Sequence, residues 1–250
     1  KFNQSNYLFK YVQSIIPLGS QTFSKSYRFL PNKNTPLFIK KGKGCYFWDI
    51  DNNKFIDMVS GLLSVTIGYN IKEINEDIKK QLSNGISFSL ATKLEYELAK
   101  KIIKHVPSAE MVRYAKNGSD ATTAAIRLAR NITNHTNIMF SGYHGWHDWY
   151  IGSTSMNNGV PKEISNQSFM FEFNNFNSFL KQFQKAKKKV AAVIIEPMNI
   201  VEPKKVFLKK IRKFCTKNKI ILIFDEICTG FRFSLGGAQK LFNITPDLTT

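Results

Sequence analysis

The spacing of apolar positions changes near residue 60, and the change divides the chain into two kinds of architecture. Before it, residues 3–16 carry helical spacing closed by Pro17. Residues 36–59 then read as strands: Leu37-Phe38-Ile39-Lys40, a Lys-Gly-Lys-Gly turn, 45–50, the turn Asp51-Asn52-Asn53, and 54–59. This is a small antiparallel meander. From Gly61 onward helical and strand periods alternate. Helices are predicted over 71–82, 94–105, 119–131, 176–184 and 206–217, and strands over 111–115, 137–140, 190–195 and 220–224. Strands that alternate with helices give a mostly parallel sheet flanked by helices, an α/β fold. The runs Val190-Ala191-Ala192-Val193-Ile194-Ile195 and Ile220-Ile221-Leu222-Ile223-Phe224 are apolar throughout, as strands covered on both faces require.

Composition adds limits. A chain of 250 residues with 43% hydrophobic content can bury a substantial core, enough for one large or two modest domains. No apolar run approaches the eighteen or so residues that span a bilayer, and residues 1–16 lack a signal-like apolar block, so the expected location is cytoplasmic with no membrane partner. Cys45, Cys215 and Cys228 are widely spaced and fit neither a disulfide framework nor a zinc ribbon. The net charge of +18 raises nucleic acid as a partner. The basic residues, however, are mostly lysines dispersed along amphipathic stretches, and the one dense run, 185–189, precedes a strand as a solvated helix end would. A basic binding module is the weaker reading.

Candidate chemistry gathers where strands stop. The apolar run 220–224 ends in Asp225-Glu226, followed by Thr229-Gly230-Phe231-Arg232. The carboxyl ends of parallel strands are where open α/β sheets bind ligands, and a carboxylate there bears a desolvation cost unless a cation faces it. Capping of the next segment is the plainer role for Asp225. Lys116-Asn117-Gly118-Ser119-Asp120-Ala121-Thr122 opens an alanine-rich helix, with free first-turn amides, a hydroxyl and a glycine that permits close approach. Such a terminus holds phosphate, although Ser119 also fits an ordinary cap. Gly142-Tyr143-His144-Gly145-Trp146-His147-Asp148-Trp149 follows the strand 137–140 and offers aromatic faces to a flat ring. Core packing suits Trp146 and Trp149 better than Tyr143, and His144-x-x-His147-Asp148 is a weak metal candidate without a third cluster, so no metal is expected. Ile194-Ile195-Glu196-Pro197 is another apolar strand that ends in a carboxylate.

A phosphate cradle, a stacking aromatic and a carboxylate for a ring nitrogen, in that order, point to pyridoxal phosphate. The chain resembles the class III, ω-amino acid type, pyridoxal-phosphate aminotransferases of fold type I over almost its whole length. The resemblance is most specific in Asp225-Glu226-x-x-Thr229-Gly230-Phe231-Arg232, Tyr143-His144-Gly145 and Asn117-Gly118-Ser119. Within the class, Thr35-Pro36-Leu37-Phe38, Ile126-Arg127-Leu128-Ala129-Arg130 and the stretch from Gly237-Ala238-Gln239 to Pro246-Asp247-Leu248-Thr249 are similar to the glutamate-1-semialdehyde 2,1-aminomutases.

The resemblance implies the cofactor pyridoxal 5′-phosphate, with its pyridoxamine form in the cycle, and a homodimer with the site at the subunit interface. It implies that 1–60 belong to the family's small domain and 61–250 to the large cofactor-binding domain. Gly118 and Ser119 would hold the phosphate, Tyr143 would stack on the ring with His144 beside it, Asp225 would pair with the protonated ring nitrogen, and Glu226 would orient nearby groups, which makes Asp225 and Glu226 the catalytic candidates. Arg28, Ser60 and Glu196 are the substrate-binding candidates. The family's Schiff-base lysine would follow the Asp-Leu-Thr stretch by a few residues, and the sequence reaches only Thr250. The expectation is therefore an N-terminal fragment, inactive alone. Ser60-Gly61-Leu62 stands where the aminomutases carry Gly-Ser-Trp, and the stretch between Trp149 and Pro161 looks shorter than their active-site loop. An ordinary transaminase on an amino acid, ω-amine or sugar-derived ketone thus stays open beside the mutase.

Overall fold

The computed structural model describes residues 1–30, 35–187 and 189–250, and it separates into two compact units, Lys1–Ser89 and Leu90–Thr250. The expected assignment of 1–60 and 61–250 concerns domains of a longer enzyme, whereas these two units are bodies of this chain. Each is described by itself.

In the first unit, helix α1 (Asn3–Ile15) precedes three antiparallel strands, β1 (Ile39–Lys43), β2 (Tyr46–Asp49) and β3 (Lys54–Ile56), in the order β1-β2-β3. The meander is the predicted one, with shorter strands. Its tight turn serves the helix. The Asp51 carboxylate accepts the Gln4 N–H at 2.7 Å and the Ser5 N–H at 3.0 Å, supplying first-turn acceptors that α1 lacks of its own. Helix α2 (Lys72–Asn84) follows. Between β3 and α2, Asp57 accepts the Val59, Ser60 and Gly61 N–H groups and the Tyr69 hydroxyl. Burial alone would raise the Asp57 pKa, but these hydrogen bonds outweigh it and hold the carboxyl below its ordinary value.

The second unit is a five-stranded sheet with all neighbours parallel, in the order β5-β4-β6-β7-β8. Its elements run α3 (Lys93–His105), α4 (Gly118–Thr133), β4 (Asn137–Ser141), the short α5 (Asp148–Ile151) and α6 (Lys162–Ser165), β5 (Ser168–Met170), α7 (Phe176–Lys185), β6 (Val190–Ile195), α8 (Lys205–Lys217), β7 (Ile221–Phe224), α9 (Gly237–Phe242) and β8 (Leu248–Thr249). Successive strand residues face opposite sides, so the sheet builds two cores. Met139, Val193, Ile195, Leu222 and Phe224 pack with the apolar faces of α7 and α8, through Phe179, Phe183, Leu208 and Ile211. Ile138, Phe140, Ala192, Ile194 and Ile223 pack on the other side with Ile126 and Ala129 of α4 and with Trp149. β6 is buried at all six positions, which is why its sequence shows no alternation.

One predicted strand does not form. Residues 111–115 lie outside every strand. The chain there approaches the sheet edge, with Ser108 Oγ 2.7 Å from Thr249 Oγ1, but β8 is two residues long and offers no ladder for another strand to join. In the lysine run 185–189, Lys185 ends α7 as expected, while Lys188 lies outside the described residues. Among the described residues, no helix is long and apolar enough to cross a membrane.

Candidate active site

Three adjacent strands end together. Ser141 pairs with Ile195 and Ile195 with Phe224, so the residues that follow, Gly142, Glu196 and Asp225, stand side by side at the carboxyl edge. The ladder continues one step past the strands: the Glu196 N–H donates to Ser141 O at 3.2 Å and the Asp225 N–H to Ile195 O at 2.9 Å. Parallel pairing thus fixes where each carboxylate emerges.

Asp225 is buried, and its Oδ2 lies 2.7 Å from His144 Nδ1 while its Oδ1 accepts the Ile227 N–H at 3.2 Å. His144 is equally buried, near-parallel to Trp149 at 6.1 Å and edge-on to Phe140 and Tyr150. Its Nε2 is buried without a partner. Protonating both nitrogens would leave an N–H with no acceptor in a dry site, so the neutral tautomer with its proton on Nδ1, donated to Asp225, fits these surroundings. His144 then hydrogen-bonds the carboxylate without neutralising it. Among the described residues His144 is the basic side chain that meets Asp225, and the site has room in its charge balance for one cation.

The start of α4 meets the loop after β4. The Trp146 N–H donates to Ser119 Oγ at 3.2 Å, which leaves the Ser119 hydroxyl proton available to an anion at the helix start. One glycine makes this approach possible, and a second lets the segment after β7 come close to the helix start. A Cβ on Gly145, whose φ is +102°, would collide with Ser119 Oγ, and one on Gly118 would lie 2.5 Å from Ile227 Cδ1. The first-turn Asp120 is turned back, accepting the Asn117 N–H at 3.1 Å and lying 3.7 Å from His147 Nε2.

The loop is fastened along its length. The Tyr143 N–H donates to Glu196 Oε2 at 2.9 Å, and Thr122 Oγ1 donates to His144 O at 3.1 Å. The Tyr150 hydroxyl is pushed up to about 12 by burial and then by the nearby Tyr143 and Glu196. The Tyr143 ring rests edge-on against Tyr150 at 5.5 Å and is 61% exposed, so a face is open to a ligand. Trp149 is buried as expected, whereas Trp146 is 69% exposed and does not enter the core. Its peptide is tied to Ser119 and its ring lies edge-on to His147.

Glu226 turns away from Asp225. Its Oε2 accepts Thr229 Oγ1 at 2.6 Å and the Ala238 N–H at 2.7 Å, and its Oε1 accepts the Gln239 N–H at 2.9 Å and Gln239 Nε2 at 3.3 Å. The carboxylate caps α9 and ties the 226–239 loop to the end of β7. Arg28 and Ser60 belong to the first unit, where Arg28 is exposed and the Ser60 N–H donates to Asp57. The two histidines of the metal candidate face different partners, His144 toward Asp225 and His147 Nδ1 toward Thr123 Oγ1 at 2.8 Å.

Several residues that shape the site were not singled out by the sequence. Thr122 meets His144 22 residues away, Asn199 Nδ2 donates to Glu196 Oε2 at 2.6 Å, and Gln239 accepts the Ser108 N–H across 131 residues. Thr229 was legible, since Glu-x-x-Thr places a hydroxyl one turn from the carboxylate.

A parallel sheet with a carboxylate, an aromatic loop and a helix start gathered at its strand ends is an α/β fold of the kind that binds phosphorylated heteroaromatic ligands. The chain belongs to the class-III aminotransferases, whose family model matches residues 29–250. It is 38% identical over 261 residues to the glutamate-1-semialdehyde 2,1-aminomutase of Francisella philomiragia, an alignment covering 98% of this chain and 60% of that relative. Among solved structures, an omega-transaminase from Sphaerobacter thermophilus aligns with a TM-score of 0.88 at 26% identity, covering 98% of this chain and 59% of that one. The FumI protein of Sphingopyxis sp. MTA144, solved with PLP, aligns with a TM-score of 0.91 at 25% identity, covering 99% and 60%. The chain therefore spans about 60% of the length of the curated relatives it matches. Class III aminotransferases are pyridoxal-phosphate-dependent. The residues here fit that group: a buried carboxylate with charge to balance, a hydroxyl with a free proton at a helix start, and an exposed aromatic ring on the loop after β4.

Proposed function

We propose that this chain forms the cofactor-binding part of an enzyme that moves amino groups with pyridoxal 5′-phosphate, in the manner of a glutamate-1-semialdehyde 2,1-aminomutase. The observation that carries the proposal is Asp225, a buried carboxylate aimed by His144 Nδ1 and supplied with no Lys or Arg partner of its own among the described residues. When bound, the cofactor supplies an electron sink for the pair left by removing a proton beside the substrate nitrogen. Asp225 holds a proton on the ring nitrogen by charge, and His144 keeps the carboxylate aimed. Tyr143 covers one ring face, and Gly118 and Ser119 hold the phosphate with amides and a hydroxyl. Glu226 acts at one remove, holding the loop that follows Asp225.

For the reaction, the 38% identity to an aminomutase over nearly the whole chain supports the mutase. The alternative is an ordinary transaminase acting on an amino acid, ω-amine or sugar-derived ketone, and the close fit to the Sphaerobacter omega-transaminase supports that reading. For the whole enzyme we propose a cytoplasmic homodimer. The three free cysteines support the compartment, and the apolar stripe Ile74, Ile78 and Leu82, exposed along α2, supports a subunit contact. The deciding experiment gives the full-length enzyme glutamate-1-semialdehyde with no added amino acceptor. Sustained formation of 5-aminolevulinate is the expected result, and an absolute need for an external keto acid would replace the mutase with the transaminase.

A further inference from the structure

From the neighbourhood of β4 and β6 we infer that Glu196, expected from sequence to meet substrate, is a positioning residue that holds Tyr143 in place for ring stacking before any ligand arrives. The inference rests on the proposed cofactor site and adds to it the residue that sets the height and tilt of the stacking ring.

The geometry is specific. Glu196 leaves β6 one position past the ladder and reaches sideways over Gly142, the first residue after β4. Gly142 has φ +114°, and a Cβ there would lie 2.5 Å from Glu196 Oε2 and 2.9 Å from Cγ. The bare Cα is what lets the carboxylate pass over the backbone to the next peptide. There Oε2 accepts the Tyr143 N–H at 2.9 Å, and the same oxygen accepts Asn199 Nδ2 at 2.6 Å. Asn199 thereby steadies the carboxylate from its own strand-end loop. Glu196 is itself 8% exposed, so water competes poorly for that oxygen. Tyr143 is exposed, and its ring stands nearly perpendicular to that of Tyr150. One charge-assisted bond to the backbone and one aromatic edge therefore define the ring's position.

Because both donors converge on one oxygen, the two obvious variants separate position from charge. In Glu196→Gln the amide carbonyl takes the place of Oε2 and keeps both bonds, whereas Glu196→Ala removes both. Hydrogen exchange of the cofactor-free protein reads the effect directly. The Tyr143 amide is expected to exchange about tenfold faster or more in Glu196→Ala, as loss of a hydrogen bond to a charged group implies, and to stay protected in Glu196→Gln. In the full-length enzyme, the visible circular dichroism of bound pyridoxal phosphate, which reports ring orientation, is expected to weaken in Glu196→Ala and recover in Glu196→Gln. Unchanged Tyr143 exchange in Glu196→Ala overturns the inference. So does a Glu196→Gln enzyme as impaired as Glu196→Ala with Tyr143 still protected in both, since that places the charge on substrate. A wild-type full-length enzyme that takes up no cofactor would instead overturn the proposed function, with the exchange of Tyr143 still deciding the role of Glu196.

Discussion

Replacing Glu226 by alanine tests whether this carboxylate is a structural clamp. The side chain is 5% exposed, and its oxygens satisfy the Ala238 and Gln239 amides, which belong to residues 0% and 2% exposed. Truncation strands those two N–H groups and the Thr229 hydroxyl. Each stranded buried donor costs about 1–3 kcal/mol, and water entering the space left by the side chain offsets part, so the net loss is about 3–5 kcal/mol. In a unit of this size each kcal/mol moves the midpoint by about 2–4 °C, so Tm should fall by about 10 °C. Glu226→Gln should fall part of the way. The two oxygens face different backbone donors, and whichever side receives the amide NH2 meets an N–H. Thermal unfolding of the three proteins, with hydrogen exchange at Ala238 and Gln239, measures both effects. A midpoint for Glu226→Ala within about 2 °C of wild type, with the 238 and 239 amides still protected, refutes the clamp.

In the full-length enzyme, Asp225→Ala should keep the wild-type circular dichroism in the far ultraviolet while cutting turnover by about a hundredfold or more, the scale of a lost proton-holding group; near-normal turnover would remove Asp225 from the ring nitrogen. Burial pushes the Cys215 thiol up to about 12, and burial followed by the charges of Glu196 and Asp225 raises Cys228, whereas Cys45 is exposed. Alkylation near pH 8 should therefore label Cys45 first, Cys228 more slowly, and Cys215 only on unfolding, as peptide mapping over time would show. Stability should also decline at alkaline pH. Cys215 and Tyr150 have folded values raised from 9.0 and 10.0 to about 12, so the unfolded chain gives up these protons first. Their contribution is full below pH 9 and is lost as pH rises toward 12, which urea midpoints across that window would reveal; a flat profile there contradicts the burial of both groups.

What the sequence made legible follows from how far apart the interacting residues lie. β6, β7, α4, α7 and α8 were readable because their apolar spacing is local, and their observed bounds differ from the expected ones by at most two residues. The three-residue β5 and two-residue β8 carry too few positions to show a period, and α5, α6 and α9 are each six residues or fewer. The segment 111–115 has strand-like composition, yet a strand exists only with a neighbour, and that neighbour lies far along the chain. The site divides the same way. Gly118, Ser119, Tyr143, His144 and Asp225 stood out through their combination and order along the chain, since singly Asp225 and Ser119 fit ordinary caps. The ties that hold them, Trp146 to Ser119, Tyr143 to Glu196 and His144 to Asp225, span 27, 53 and 81 residues, beyond any local pattern. Glu226 shows the limit most plainly, since its neighbour Asp225 promised shared chemistry while its partners lie twelve and thirteen residues downstream.

Because neighbouring residues at the end of β7 point to opposite sides, Asp225 and Glu226 hold their separate tasks by parity alone. Deleting or inserting one residue in β7 would turn each to the opposite side, sending the carboxylate meant for His144 toward α9, or, if the end of the strand holds its place, would move the apolar side chains upstream of the change from one core into the other. Two such changes together would restore the parity. Length variation in this family should accordingly be found in the loops that bracket the strand, and a library of single-residue insertions through residues 218–227 should show tolerance ending abruptly where the strand begins.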